Sequence, residues 1–317
     1  MITLEYVYIF FGAMLALYAV LSIGDANNPK RIVNTAFWGL LAISFLFGSE
    51  LGDLGNGVLV LALVVLGAIG LGQSKIGTAS REEQQANAAA RGNWLFIPAL
   101  IVPVVALIGS VFLKTATIGG TPLLDAKQVT PISLAAGVLI ALTAAILWLK
   151  PRLIVPFQEG RRLMDTIGWA AILPQMLASL GAVFALAGMG NAVSQVATNY
   201  LPLGSPAAAV AAYCIGMALF TAIMGNAFAA FPVMTAAIGL PLIVHKFGGD
   251  VVIMGAIGML SGFCGTLTTP MAANFNIVPA ALLELSDRNA VIKAQLPTAF
   301  LMLIGNTLLM EFLVYRF

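Results

Sequence analysis

Apolar runs of membrane-crossing length recur along the whole chain, separated by short polar connections. The pattern predicts helices at 4–23, 32–48, 54–73, 94–113, 132–149, 166–188, 207–224, 227–243, 251–284 and 295–315, because ~18–20 apolar residues cross a hydrocarbon core. The run at 251–284 is interrupted: Thr266, Thr268, Thr269, Pro270, Asn274 and Asn276 stand between two apolar stretches. Polar groups at membrane depth are tolerated only where protein buries them or where they line a wet cavity. A helix broken inside the bilayer is therefore expected over 265–276. A second interruption, Gly225-Asn226, divides the apolar run 211–240, and Pro232 follows it. Glycine allows a tight reversal, and an asparagine amide both donates and accepts.

Composition fixes the class. The chain is 60% hydrophobic and 9% charged, with a mean hydropathy of +1.00, too few charges to coat a soluble surface. The expected fold is an all-α polytopic membrane protein of about 9–10 transmembrane or re-entrant helices. The first run, 4–23, is too long for a signal-peptide core and is expected to remain as a spanning helix. Cys214 and Cys264 lie in apolar runs and read as packing residues rather than a disulfide.

Lysines and arginines then set orientation. Lys30 and Arg31, then Lys75, Arg81 and Arg91, then Lys150, Arg152, Arg161 and Arg162 mark segments 24–31, 74–93 and 150–162 as cytoplasmic. The N-terminus and 189–206 fall outside, 286–294 inside and the C-terminus outside. This count closes only if 207–243 enters and leaves from one side, as two full spans or as a re-entrant hairpin with its tip near Gly225-Asn226. Segment 74–93 reads as a cytoplasmic linker or short surface helix. Arg161, Arg162 and Asp165 read as an interfacial anchor before Trp169, and His245 beside Lys246 as interfacial. The expected organisation is an N-terminal scaffold over 1–165 and a transport-type region over 166–317.

Several chemistries are excluded. There is no Walker-type phosphate loop and no His-Glu-x-x-His or Cys/His cluster. No string of intramembrane carboxylates suggests a proton relay, since Glu284 and Glu311 fall near helix ends. The chain is not expected to be an enzyme, to hold a cofactor or structural metal, or to bind nucleic acid. What remains fits transport. A helix that stops inside the membrane turns N–H groups toward an anion or carbonyls toward a cation. Thr and Asn add neutral oxygens suited to a hard cation such as sodium. Asn226, Thr266, Thr268, Thr269, Asn274 and Asn276 are the candidate substrate and ion shell, with sodium near Asn226 and Thr269. Gly225, Gly265, Pro270 and Pro232 shape the breaks. Gly255, Gly258, Gly262 and Gly265 share one helix face and predict close helix packing.

A hairpin with a Gly-Asn tip, a discontinuous helix carrying Gly-Thr-x-x-Thr-Pro and a later Asn, and one further helix resemble one inverted repeat of the ion transporter superfamily. Residues 207–315 match one such repeat, as hairpin 207–243, broken helix 251–284 and final helix 295–315; no second copy is found in 1–200. Gly188 to Asn199, the nearest polar interruption, falls in a predicted loop. The wider sequence, including Gly160-Arg161-Arg162-Leu163 and 218–228, is similar to a bacterial membrane family described as one subunit of a two-component 5-oxoproline (pyroglutamate) transporter. The resemblance implies a multi-pass inner-membrane location, a second, shorter membrane subunit, a small carboxylate substrate and ion-coupled symport by alternating access. A homo-oligomeric carrier or channel, and a non-transporting membrane scaffold, are the alternative readings.

Overall fold

The computed structural model describes residues 1–73, 81–114, 116–118, 121–200, 203–283 and 285–316. Lys75, Glu284 and the first part of the expected linker 74–93 lie outside the described residues. The structure is helical apart from a two-residue strand pair at 117–118 and 121–122. Among the described residues eight helical stretches are long and apolar enough to cross a membrane, which makes this a multi-pass helical membrane protein. The chain divides into two compact units, Met1–Gly168 and Trp169–Phe317.

In the first unit, α1 (Leu4–Ile23) and α2 (Arg31–Phe47) form a close hairpin. Gly12 makes the approach possible, since a Cβ there would lie 2.5 Å from Leu46. There follow α3 (Gly52–Ile69), the polar surface helix α4 (Arg81–Arg91), α5 (Ile97–Ile108) and α6 (Val129–Leu149). α5 and α6 pack through Gly137, whose added Cβ would meet the Val102 carbonyl at 2.9 Å. The amphipathic α7 (Val155–Ile167) closes the unit. Its polar face turns inward, which corrects the expectation of an interfacial anchor: Arg161 and Asp165 are 1% and 3% exposed. The reason is local charge, because Arg161 meets Asp25 of the α1–α2 loop at 3.1 Å. Only Arg162, paired with Glu159 on its own helix, stays half-exposed.

Contacts within this unit sort its connections by end. The loop after α1, the residues after α3 and α7 come together: Lys30 Nζ donates to the Ile69 and Gly70 carbonyls, and Asn28 Nδ2 to that of Gly72. Ile2 pairs instead with Leu123, placing the N-terminus beside the α5–α6 connection.

The second unit begins with α8 (Leu173–Leu186) and α9 (Met189–Tyr200). The expected external loop at 189–206 is thus mostly a helix. Gly188, at φ +71°, reverses the chain, and α9 then buries its small apolar positions. A Cβ on Gly190 would sit 3.0 Å from Ala236, and Val193 joins the main core. Asn191, Ser194, Gln195 and Asn199 hide this stripe in the sequence.

Next come α10 (Pro206–Met224), α11 (Ala227–Met234) with its π-helical continuation Thr235–Lys246, α12 (Val251–Thr266), α13 (Ala273–Leu282) and α14 (Ala290–Leu313). Their core is built on Tyr213, Cys214, Met217, Met254 and Met310. Both cysteines are free and buried; Cys214 Sγ lies 3.8 Å from Met310 Sδ. The glycine face of α12 packs against α10. Gly258 faces the Tyr213 ring and Gly262 faces Met217, while a Cβ on Gly265 would fall 2.1 Å from the Ala218 carbonyl oxygen.

One end of this unit gathers both ends of the hairpin. Lys246 reaches the Leu203 carbonyl at 3.3 Å, Tyr315 reaches that of Pro206 at 3.4 Å, and the Asp250 N–H donates to Val314 at 2.8 Å. The hairpin therefore enters and leaves from one side. Counting at 1.5 Å per residue from the Cys214–Met310 contact, its tip stops ~13 Å short of the start of α14. Each arm of the hairpin, Pro206–Met224 and Ala227–Lys246, is nevertheless long and apolar enough to cross a membrane.

Gly265→Ala should lower the melting temperature of the detergent-solubilised protein by several degrees, a loss of about 1–3 kcal/mol or more from overpacking. Gly305→Ala, where nothing lies within 4 Å of the added methyl, should be neutral. Equal melting of the two variants would contradict the α10–α12 contact.

Candidate functional site

α12 ends where Gly265-Thr-Leu-Thr-Thr-Pro withdraws helix support. Pro270 has no N–H and disfavours helical geometry in Thr269 before it. The last carbonyls of α12 must then find other donors. Thr266 Oγ1 donates to the Phe263 carbonyl at 2.6 Å and Thr268 Oγ1 to that of Gly265 at 2.8 Å. The Asn276 amide reaches back from α13 and donates to the carbonyls of Thr266 and Thr269 at 2.8 and 2.7 Å. Thr269 Oγ1 accepts from the Met271 N–H at 3.2 Å. The break over 267–272 is thus a folded, largely satisfied turn.

The hairpin tip meets this turn. Gly225 is in the left-handed region at φ +76°, and a Cβ there would lie 2.6 Å from the Met271 carbonyl oxygen. Glycine is required both by the backbone angle and by the contact. Asn226 caps α11, its Oδ1 accepting from the Phe228 N–H at 2.8 Å. Pro232 lies within α11, just before the helix widens to its π-helical continuation.

The candidate residues fall into groups. Thr266, Thr269 and Asn276 form one buried hydrogen-bonded cluster; Thr268 is half-buried beside it, and Gly225-Asn226 abut it through Met271. Gly265 is where α12 touches α10. Asn274 is exposed, because two residues along a helix from Asn276 it faces the other way, and it does not join the cluster.

Four half-helix ends converge at this place: the C-termini of α10 and α12 and the N-termini of α11 and α13. The dipoles bring partial negative charge from the first pair and partial positive charge from the second. With their protons committed to carbonyls, the hydroxyls of Thr266 and Thr268 can offer a ligand only lone pairs. Asn276 Oδ1 and Thr221 Oγ1 are buried and have no partner among the described residues. Neutral oxygens of this kind suit a hard cation, and helix N-termini such as those of α11 and α13 suit a carboxylate. Among the described residues no group of three or more His, Cys, Asp or Glu could hold a metal ion.

Sequence reasoning missed two things. Thr221, in the apolar run of α10, points at α12, 3.3 Å from where a Gly262 Cβ would lie; nothing in the pattern distinguishes it from a helix-satisfied threonine. It also missed a second buried polar cluster, in the first unit. There Asp165 Oδ1 accepts from Asn34 Nδ2 at 2.9 Å and Trp38 Nε1 at 2.8 Å. Asn34 also exchanges two hydrogen bonds with Gly72. The signal was an asparagine inside an apolar span.

A family model described as "Protein of unknown function (DUF979)" matches residues 5–315. No curated protein and no solved structure matches the chain.

Asn276→Ala should destabilise the protein by about 2–4 kcal/mol, since it orphans two buried carbonyls. Asn274→Ala should change stability by less than about 0.5 kcal/mol. Chemical or thermal unfolding in micelles separates the two.

Proposed function

We propose that this chain, which belongs to the DUF979 family, is a subunit of a secondary-active, cation-coupled transporter for a small carboxylate. The observation that carries the reading is the meeting of the hairpin tip and the helix break at Gly225 and Met271. Substrate and ion sites of secondary transporters are built at such half-helix ends, where alternating access can expose them to either side. The resemblance noted above makes 5-oxoproline the substrate to test first. Its carboxylate suits helix N-termini, and its lactam suits amide donors and acceptors.

The same reading calls for a partner. Among the described residues the first unit carries no second hairpin facing a polar helix break, and one repeat alone opens to one side. A second, shorter membrane subunit would supply the other, and the first unit would serve as the scaffold against which 207–315 moves. The cytoplasmic assignment of the cluster around Asp25, Gly72 and Arg161, and an external N-terminus, follow from the basic residues gathered at that end.

Uptake of radiolabelled 5-oxoproline into proteoliposomes, with and without the neighbouring membrane subunit and with and without a sodium gradient, tests the proposal. Uptake is expected only with both subunits, and the gradient should accelerate it. Asn226→Ala and Thr269→Ala should each reduce it by about tenfold or more, equivalent to roughly 1.4 kcal/mol. Absence of uptake in all four conditions removes the substrate. Unchanged uptake in both variants removes the site, and uptake by this chain alone removes the heteromeric arrangement.

A further inference from the structure

Where α10 begins and α14 stops, the second unit carries a depression of about 600 Å³, lined by Phe247, Leu308, Glu311, Phe312, Tyr315 and Arg316. Two opposite charges line it without joining: among the described residues neither Glu311 nor Arg316 takes part in an ion pair. Glu311 Oε2 is enclosed and has no hydrogen-bond partner. This residue also stands two positions before the end of α14, where the helix dipole disfavours an anion. Arg316 is exposed and lays its guanidinium over the Phe312 ring, 3.5 Å from the centroid, which leaves its N–H edge for a ligand.

The other polar groups at this end are engaged elsewhere. The Tyr315 hydroxyl donates to the Pro206 carbonyl; burial and the Glu311 charge push its pKa up to about 12, so it remains a neutral donor. Lys246 donates to the Leu203 carbonyl and lies over the Phe247 ring, 5.0 Å from its centroid. The Asp250 carboxylate accepts from the N–H groups of Val252 and Ile253.

This depression lies at the boundary of the bilayer. α14 is the candidate span Ala290–Leu313, and basic and aromatic residues at the end of a span mark the head-group level. Leu308 and Phe312 continue an exposed apolar strip that includes Leu301 and Ile304, since residues three and four apart share a helix face. A ligand here meets charge at one level and apolar side chains below it, which is the chemistry of a phospholipid. An ammonium suits Glu311 and a phosphate suits Arg316. A metal cation would find one carboxylate and a phenol among carbon atoms, too few oxygens for a shell. A quaternary ammonium has no N–H to give Glu311. The rings of Phe247 and Phe312, which could attract it, already carry Lys246 and Arg316.

We propose that this depression binds the head group of an aminophospholipid, its ammonium on Glu311 and its phosphate on Arg316, with an acyl chain along the Leu308 and Phe312 side of α14. The inference rests on this depression alone and not on the transport reading.

Native mass spectrometry of the delipidated full chain in micelles, titrated with phospholipids of identical acyl chains, tests it. Phosphatidylethanolamine should bind at least about tenfold more tightly than phosphatidylcholine or phosphatidylglycerol, the weight of one charge-assisted hydrogen bond. Its N-methyl and N,N-dimethyl forms should weaken stepwise as N–H donors are lost. Glu311→Gln should abolish the preference for ethanolamine, Arg316→Gln should weaken the ethanolamine and glycerol lipids alike, and Asp53→Asn, at an exposed position, should change nothing. If Glu311→Gln fails to fold, the methylation series on the wild-type chain decides alone. Equal binding of the ethanolamine and choline lipids, or a preference that survives Glu311→Gln, would overturn the proposal. So would displacement of the lipid by an equal concentration of free phosphoethanolamine, which would make the ligand a soluble zwitterion.

Discussion

The Asn276 amide holds the second unit together at its weakest point. A helix that stops within a bilayer leaves carbonyls with no water to satisfy them. By donating to both Thr266 and Thr269, one side chain joins the end of α12 to the first turns of α13 across a proline. The turn is then firm enough for Gly225 to rest on Met271, and the hairpin depends on that contact for its position. Replace the amide with an apolar group and the break has either to admit water or to straighten, which Pro270 opposes.

The two units deal with polar groups in the membrane in opposite ways. The second keeps its candidate site neutral, with hydroxyls, amides and helix ends in place of formal charge. The first buries an arginine and two aspartates and orders them with Asn34 and Trp38. A neutral site can bind and release a charged ligand without leaving an unpaired ion behind. A buried ionic cluster resists rearrangement unless a proton or partner changes its balance.

Much of this was legible in the sequence because lipid imposes a strict rule on length and polarity. The first span, 4–23, coincides with α1, and the break expected over 265–276 opens at Leu267. The glycine face of α12 was also legible, since four small residues at helical spacing have few other uses. What escaped depends on partners distant in sequence. Arg161 reads as an anchor because the residue that neutralises it, Asp25, lies far away in another connection. α9 reads as a loop because its apolar stripe is only two or three residues wide. Asn274 and Asn276 look equivalent in sequence, and only the rotation of α13 separates the exposed residue from the buried one.

The hairpin's return to its own side bears on how the protein is made. The ten-residue α13 is too short to cross the hydrocarbon layer, so a translocon cannot secure it as it does ordinary spans. The core of the hairpin closes on Met310, and the N-terminus of α12 is tied to Val314. Both residues follow α10–α13 in the chain and are synthesised after them. The second unit must therefore wait for α14 to leave the ribosome before the preceding segments take their places. During that interval the polar turn at 267–272 is without its neighbours, open to chaperone capture or to misinsertion.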